Sequence, residues 1–146
     1  MSDSAIVTCP SCGVKNRVRS ATSGRPRCAS CKHDLPWVVA ADDTDLSAAL
    51  DTRLLVLIDL WAPWCGPCRM VAPILERLAA SHAGSLKVVK VNVDNAPATA
   101  QRFSAQSIPT LVLMRDGQIV ERIVGAQPEP VLAAAVRSAL ASAQRS

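Results

Sequence analysis

A chain of 146 residues with 49% hydrophobic side chains can bury one ordinary core and a small appendage, but not two full-sized domains. Its net charge of +4 comes from residues 1–36, which hold six basic and two acidic side chains, since ten basic and ten acidic residues balance in the remainder. The N-terminus lacks the features of a signal peptide and no apolar run reaches about 18 residues, so we expect a cytoplasmic protein that does not enter a membrane.

Residues 1–36 are polar, rich in turn-forming residues and without sustained periodicity, so they cannot build a core alone. They hold two Cys-x2-Cys pairs that are separated by 15 residues, namely Cys9, Cys12, Cys28 and Cys31. This spacing is typical of a four-thiolate zinc site, and we predict a zinc-ribbon-like domain over residues 1–36. Two labile disulfides or an iron–sulfur cluster are the alternatives. His33 could replace Cys31, but four cysteines already complete a closed site.

Each of these pairs can form a tight knuckle that points both sulfurs at one ion. Pro10 and Gly13 suit the first knuckle, whereas the second has Lys32 in place of the glycine and is predicted to be weaker. Structural zinc contributes roughly 10–16 kcal/mol in finger peptides, enough to fold so short a segment. The zinc could be structural or redox-sensing. Basic residues lie between the knuckles without any aromatic residue, so we do not expect nucleic acid as a partner.

From Trp37 onward, apolar strands alternate with amphipathic helices. Asp43 or Thr44 is expected to cap the first helix, and Asp116-Gly117 to form the tight turn of a hairpin. The order β-α-β-α-β-α-β-β-α predicts an α/β fold with a central mixed β-sheet flanked by helices. The predicted elements are strands at 37–40, 54–61, 86–93, 110–114 and 118–124, and helices ending at Leu50, spanning 65–81 and 97–104, and starting near Pro128.

A third cysteine pair, Cys65 and Cys68, lies where a buried strand gives way to a helix. A helix N-terminus presents unpaired N–H groups and a partial positive charge, which favour a thiolate at Cys65. Cys65 is therefore the predicted nucleophile. Cys68, one turn further on, is the predicted resolving cysteine, whose attack on a mixed disulfide releases the reduced substrate and leaves a Cys65–Cys68 disulfide.

The sequence around this pair resembles the thioredoxin family. The resemblance covers roughly residues 37–143 and implies a thioredoxin domain over residues 37–146 with the thioredoxin fold. Together with the zinc ribbon, the pattern is similar to the bacterial thioredoxin 2 subgroup. The matching residues are Asp59, Trp61, Ala62, Pro63, Trp64, Cys65, Gly66, Pro67, Cys68, Pro73, Lys90, Asp94, Ile108, Pro109, Thr110, Gly117 and Gly125.

The resemblance also implies catalytic roles for two residues on neighbouring strands. Asp59 is expected to be a buried carboxylate that takes a proton from Cys68, with Lys90 as its partner. A carboxylate in an apolar strand is costly unless it is neutral or paired, which itself indicates a function. A merely structural ion pair is the alternative.

The expected substrate-binding surface surrounds the cysteine pair. Pro109 resembles the cis-proline of the family, which leaves the backbone of Ile108 free to hydrogen-bond an extended substrate. Trp61 and Trp64 are expected to form an apolar rim, although core packing is nearly as good an explanation for Trp61. Two further residues are assigned to this surface, namely Gly66 and Pro67.

The predicted function is a cytosolic protein-disulfide reductase, a thioredoxin-type electron carrier recharged by an NADPH-dependent flavoprotein thioredoxin reductase. Gly66-Pro67 favours reduction, since oxidases and isomerases of this fold usually carry histidine there. We expect a monomer that acts on protein disulfides without an organic cofactor. The alternative is a binding module, in which the zinc ribbon recruits a protein or nucleic acid and the thioredoxin domain is a redox-responsive scaffold.

Overall fold

The structure is a computed structural model that describes residues 4–22 and 24–144. No helix in this part of the chain is both long and apolar enough to cross a membrane. The elements in chain order are β1 (Ser4–Thr8), β2 (Lys15–Arg19), β3 (Trp37–Ala41), α1 (Leu46–Leu50), β4 (Leu55–Trp61), α2 (Gly66–Ser81), β5 (Leu86–Asn92), α3 (Pro97–Arg102), β6 (Thr110–Arg115), β7 (Gln118–Val124) and α4 (Glu129–Gln144).

Five strands form one mixed sheet in the order β3-β5-β4-β6-β7. β3 and β4 pair with β5 in parallel, whereas β6 runs antiparallel to β4 and β7 antiparallel to β6. Residues 55–60 of the central strand β4 are all buried, because helices cover both faces of the sheet. The mixed sheet and the order of elements predicted for residues 37–144 are confirmed.

The side chains of the sheet alternate between two apolar cores. Val56, Ile58 and Leu60 of β4 pack on the side of α1 and α3, whereas Leu55 and Leu57 pack on the side of α2 and α4. The predicted hairpin turn between β6 and β7 is also confirmed. Asp116 and Gly117 have φ values of 53° and 77°, so both central residues are left-handed, as a two-residue hairpin turn requires.

The predicted cap of the first helix is wrong. Asp45 precedes α1, and neither Asp43 nor Thr44 caps it. The carboxylate of Asp43 instead accepts hydrogen bonds from the backbone N–H groups of Ala98 and Thr99, at 3.1 and 2.8 Å, in the first turn of α3. The free N–H groups of α3 therefore receive the cap that the sequence assigned to α1.

The N-terminal segment, residues 4–22 and 24–36, is called the ribbon below. Its strands β1 and β2 form an antiparallel two-stranded sheet that the sequence analysis did not predict. β2 alternates between exposed and buried positions, with only Asn16 and Val18 inside. The strand has only five residues, and one of its two inner side chains, Asn16, is polar. The alternation of polar and apolar residues was therefore too weak to identify a strand from the sequence.

The ribbon packs on the large sheet at the N-terminal ends of β3 and β5. The indole N–H of Trp37, the first residue of β3, donates to the carbonyl oxygen of Arg19 at 2.8 Å. Lys87 of β5 is fully buried, and its ammonium group donates to the carbonyl oxygens of Ser20 and Ala49 at 2.6 and 2.7 Å. Lys87 thus joins the ribbon, the end of α1 and the sheet.

Candidate functional site

Cys65 and Cys68 form a disulfide bond at the start of α2, with their Cα atoms 5.3 Å apart. Cys65 is the N-cap residue of the helix, and its sulfur accepts the backbone N–H of Cys68 at 3.2 Å. When the bond is reduced, this hydrogen bond and the positive end of α2 favour a thiolate on Cys65. Both cysteines are only 4% exposed and are therefore largely shielded from solvent.

The chain segment before β6 lies next to the cysteine pair. The Ile108–Pro109 peptide bond is cis, as predicted. The carbonyl oxygen of Ile108 lies 3.8 Å from the sulfur of Cys65, and the Ile108 side chain packs against the two cysteines. The structure therefore brings the nucleophile predicted from the sequence next to the predicted backbone contact for a substrate.

Two tryptophans flank the disulfide in different ways. Trp64 is 68% exposed, and its indole N–H donates to the carboxylate of Asp94 at 3.0 Å. Trp61 is half-buried against the cysteine pair, with the ammonium group of Lys90 5.1 Å from its ring centre. Trp64 thus presents a large apolar surface held in place by Asp94, for which the sequence analysis proposed no role.

Two residues of the first turns of α2 occupy positions that the sequence did not reveal. Met70 is 70% exposed, although it shares its helical spacing with the buried apolar residues of α2. The guanidinium group of Arg69 donates to the carbonyl oxygen of Pro63 at 2.6 Å, which fixes the loop before Trp64. The exposure of a large apolar side chain depends on what covers the helix, and periodicity alone cannot show that.

Asp59 and Lys90 lie opposite each other on β4 and β5, as predicted. Asp59 is only 1% exposed, and its Oδ1 atom has no hydrogen-bond partner among the described residues. Burial raises the pKa of Asp59 to about 6, and the positive charge of Lys90 opposes this shift. Asp59 faces the side of the sheet that α2 covers, which leaves a protonatable carboxyl group beneath the start of that helix.

The structural ion pair considered as an alternative for these two residues is absent. Within the described part of the chain, the ion pairs shorter than 4.0 Å are Arg25–Asp34 and Arg77–Glu129. Lys90 therefore acts on Asp59 through its electric field rather than through a direct ion pair, and it offsets only part of the cost of burying the carboxylate.

The four cysteines of the ribbon converge on one point. Their sulfur atoms all lie within 4.8 Å of one another, and the pairs Cys9–Cys31 and Cys12–Cys28 are 3.7 and 3.5 Å apart. A tetrahedral ion with metal–sulfur bonds of about 2.3 Å needs sulfur–sulfur distances of about 3.8 Å. The donor set therefore fits a four-thiolate metal site, and His33 is not part of it.

The two knuckles of this cluster share one backbone geometry. The N–H of Gly13 donates to the carbonyl oxygen of Cys9 at 2.9 Å, and the N–H of Lys32 donates to the carbonyl oxygen of Cys28 at the same distance. Gly13 and Lys32 both adopt positive φ values, 79° and 68°. The second knuckle thus has the same backbone geometry as the first, and that it is the weaker of the two stays a prediction. Lys32 accepts a left-handed conformation that favours glycine.

Comparisons with known proteins concern the part of the chain that follows the ribbon. A family model described as thioredoxin matches residues 37–138. Thioredoxin 1 of Synechococcus elongatus is 48% identical over 98 residues, which are 65% of this chain and 92% of that protein. The thioredoxins of Haemophilus influenzae and Staphylococcus aureus are 47% and 44% identical over 97 and 96 residues, each 66% of this chain and 91% of theirs. The chain belongs to the thioredoxin family and is a protein-disulfide oxidoreductase.

Proposed function

We propose that this protein reduces disulfide bonds of cytosolic proteins, with Cys65 as the nucleophile and Cys68 as the resolving cysteine. The observation that carries the proposal is the asymmetry of the pair. Cys65 caps α2 and its sulfur accepts an N–H group, whereas Cys68 is enclosed within the first turn of the helix. A thiolate is therefore favoured at one sulfur only.

The reaction consists of two exchanges. The Cys65 thiolate attacks one sulfur of a substrate disulfide, which forms a mixed disulfide and releases the other substrate sulfur as a thiolate. Cys68 then loses its proton and attacks the sulfur of Cys65, which releases the second substrate thiolate. Two electrons pass to the substrate, and the oxidised Cys65–Cys68 disulfide remains.

Asp59 is the proposed acceptor of the Cys68 proton. Its pKa of about 6 makes it largely ionised at neutral pH yet able to hold a proton briefly. It is buried on the side of the sheet below α2, and its Oδ1 atom is without a hydrogen bond in the described structure. Lys90 keeps the carboxyl group from becoming still harder to ionise.

The proposed substrate-binding surface consists of the exposed Trp64, the half-buried Trp61 and the backbone at the two sides of Cys65. An extended substrate segment can lie across Cys65 and hydrogen-bond the backbone of Ile108, with Gly66, Pro67 and Pro109 beside it. Gly66 suits close approach, because a Cβ atom built on it would meet nothing within 4 Å. Large aromatic surfaces are typical anchors of protein partners.

We further infer that the four cysteines of the ribbon bind zinc. When bound, the metal would supply folding energy to a segment with few apolar residues, and it is not required for the thiol exchange. The ribbon meets the sheet near Lys87, five residues along β5 from the end that borders the redox pair, a separation of about 17 Å. The membership of the family supports a thioredoxin reductase that uses NADPH as the source of electrons.

The test is the reduction of insulin disulfides with NADPH and thioredoxin reductase. We expect turnover by the wild-type protein, none by Cys65→Ser, and near-normal turnover by Cys31→Ser, a matched change in the ribbon. If Cys65→Ser kept full turnover, or if the wild-type protein reduced no insulin, the proposal would be lost.

A further inference from the structure

The outer face of the β1–β2 hairpin carries a row of cations. Lys15, Arg17 and Arg19 occupy alternate positions of β2 and are all exposed, whereas Asn16 and Val18 point inward. Across the hairpin, Ile6 pairs with Arg17 in the centre of the same face and is 59% exposed. The four exposed side chains Ile6, Lys15, Arg17 and Arg19 are called the basic face below.

The backbone holds the basic face in a fixed arrangement. Alternate residues of an antiparallel strand lie about 6.8 Å apart, so the three cations are evenly spaced along about 14 Å. The carbonyl oxygen of Arg19 accepts the indole N–H of Trp37, which anchors this end of β2 to the large sheet. The guanidinium group of Arg17 donates to the hydroxyl group of Ser4 at 3.2 Å. A partner would therefore meet a largely preorganised row.

The charge of the basic face is not neutralised within the described structure. Its cations take part in no ion pair shorter than 4.0 Å among residues 4–22 and 24–144. The acidic residue of the described ribbon, Asp34, is held by Arg25 at 2.6 Å. A complementary partner is consequently acidic.

The composition of the face favours a protein over a nucleic acid. Binding of single strands relies on aromatic platforms for the bases, and the ribbon contains no aromatic residue. An exposed isoleucine among the cations gains nothing from a phosphate backbone, but it can form the apolar centre of a protein interface. The cation spacing also equals that of alternate side chains on a facing extended chain.

We propose that the basic face binds an extended acidic protein segment with carboxylates at alternate positions and an apolar side chain near its centre. The ribbon meets the sheet about 17 Å along β5 from the end that borders the redox pair, so this site is separate from the substrate contact at Cys65. A protein bound here is held on the molecule while Cys65 remains open to a disulfide.

The probe for this site is a fluorescein-labelled twelve-residue peptide, Glu-Thr-Glu-Thr-Glu-Thr-Leu-Thr-Glu-Thr-Glu-Thr, measured by anisotropy at low salt. In an extended chain its glutamates and its central leucine lie on one face. We expect saturable binding whose affinity decreases as salt is added. The affinity should fall at least about tenfold with Arg17→Glu. It should be unchanged with Arg137→Glu, a change at an exposed residue of α4. A peptide with glutamine in place of glutamate should not bind. Lys15→Glu is the second test variant, and zinc content verifies that both variants keep the ribbon folded.

A peptide that does not bind would overturn the proposal, and so would either of two further results. One is peptide binding that neither Arg17→Glu nor Lys15→Glu weakens. The other is a single-stranded twelve-nucleotide DNA that binds more tightly than the peptide and is lost with Arg17→Glu, which would assign the face to nucleic acid. The peptide has no cysteine, so its failure to bind would leave the proposed reaction of Cys65 and Cys68 untouched.

Discussion

Two groups of cysteines in this molecule share the Cys-x2-Cys spacing and occupy opposite kinds of environment. Cys65 follows a buried strand and caps a sixteen-residue helix, so the environment of its sulfur differs from that of Cys68. The ribbon cysteines sit on two turns of matching geometry, and each sulfur faces the others. The elements before and after a pair therefore determine its chemistry more than the spacing does.

The same contrast separates an open site from a closed one. The redox pair involves two sulfurs only, and Cys65 lies next to the backbone of Ile108 and directly after the exposed Trp64. In the ribbon the four sulfurs provide all the ligands that a tetrahedral ion needs, and no position is left for a substrate. An open pair suits exchange, and a closed cluster suits stability.

The largest effect is expected from a substitution in the redox pair. Cys68→Ser should trap a stable mixed disulfide between Cys65 and a substrate, because no resolving thiol remains, and turnover should fall at least about 1,000-fold. Mass spectrometry of the variant after incubation with oxidised insulin checks this. Cys65→Ser is the control and should trap nothing; a trapped adduct on that variant would mean that the roles of the two cysteines are reversed.

Loss of a buried ribbon cysteine should affect metal binding by the ribbon but not the reaction of the redox pair. In Cys28→Ser the metal loses one of four ligands, so we expect zinc content to drop from about one ion per chain to near zero. Insulin reduction should change less than about twofold, because the redox pair lies at the other end of the sheet. Metal analysis and the turnover assay on one sample check both statements, and a parallel loss of turnover would show that the ribbon supports the active site.

Asp59→Asn should stabilise the protein and slow its reaction. The folded-state pKa of Asp59 is raised from 3.8 to about 6, so its ionisation disfavours the folded state as pH rises from about 4 to about 6. The variant should therefore gain stability across that window, to about 2–3 kcal/mol at pH 7. Urea unfolding at several pH values checks this. Glu76→Gln, an exposed change on α2, should show no such gain.

The functional consequence of the same change appears in the resolving step. Without a carboxylate to take the Cys68 proton, release of the second substrate thiolate should slow by about 10- to 100-fold at pH 7. Stopped-flow measurement of single turnovers checks this step directly. An unchanged rate of release would remove Asp59 from the mechanism while leaving its effect on stability intact.

The smallest expected effect concerns the contact between the two regions. Burial lowers the pKa of Lys87 to about 8, against the attraction of Asp51. Between about pH 8 and 10.5 the unfolded chain holds a proton that the folded chain has lost, so stability should rise with pH in this window, by about 1 kcal/mol. Lys87→Met should remove that rise relative to Lys15→Met, as urea unfolding at pH 7.5 and 10 can test; identical slopes would contradict it.

The sheet and its helices could be predicted from the sequence because their signals are local. β4 is a continuous apolar run, and Asp116-Gly117 marks the hairpin turn through its own backbone preferences. The roles proposed for the two cysteines followed from neighbouring elements in the same way. The roles proposed for Lys90 and Pro109 came from the resemblance to a family, and that of Asp59 from this resemblance together with its position as a carboxylate in an apolar strand.

What could not be predicted depends on contacts between distant parts of the chain. Asp43 caps a helix 55 residues further on. Lys87 is buried in an apolar strand only because carbonyl oxygens of the ribbon and of α1 receive its ammonium group. Met70 is exposed because nothing in the described structure covers that side of α2. Periodicity reports which residues can be buried, and the tertiary arrangement decides which of them are.

The contrast between a redox-active cysteine pair and a proposed metal-binding cluster of four cysteines can be tested in one measurement, namely zinc content together with thiol titration of the reduced and the oxidised protein. We expect about one zinc per chain in both states, with two rapidly reacting thiols in the reduced protein, none in the oxidised protein, and four thiols that react only after the metal is chelated. Six equally reactive thiols without zinc, or two rapid thiols that belong to the ribbon, would contradict the account.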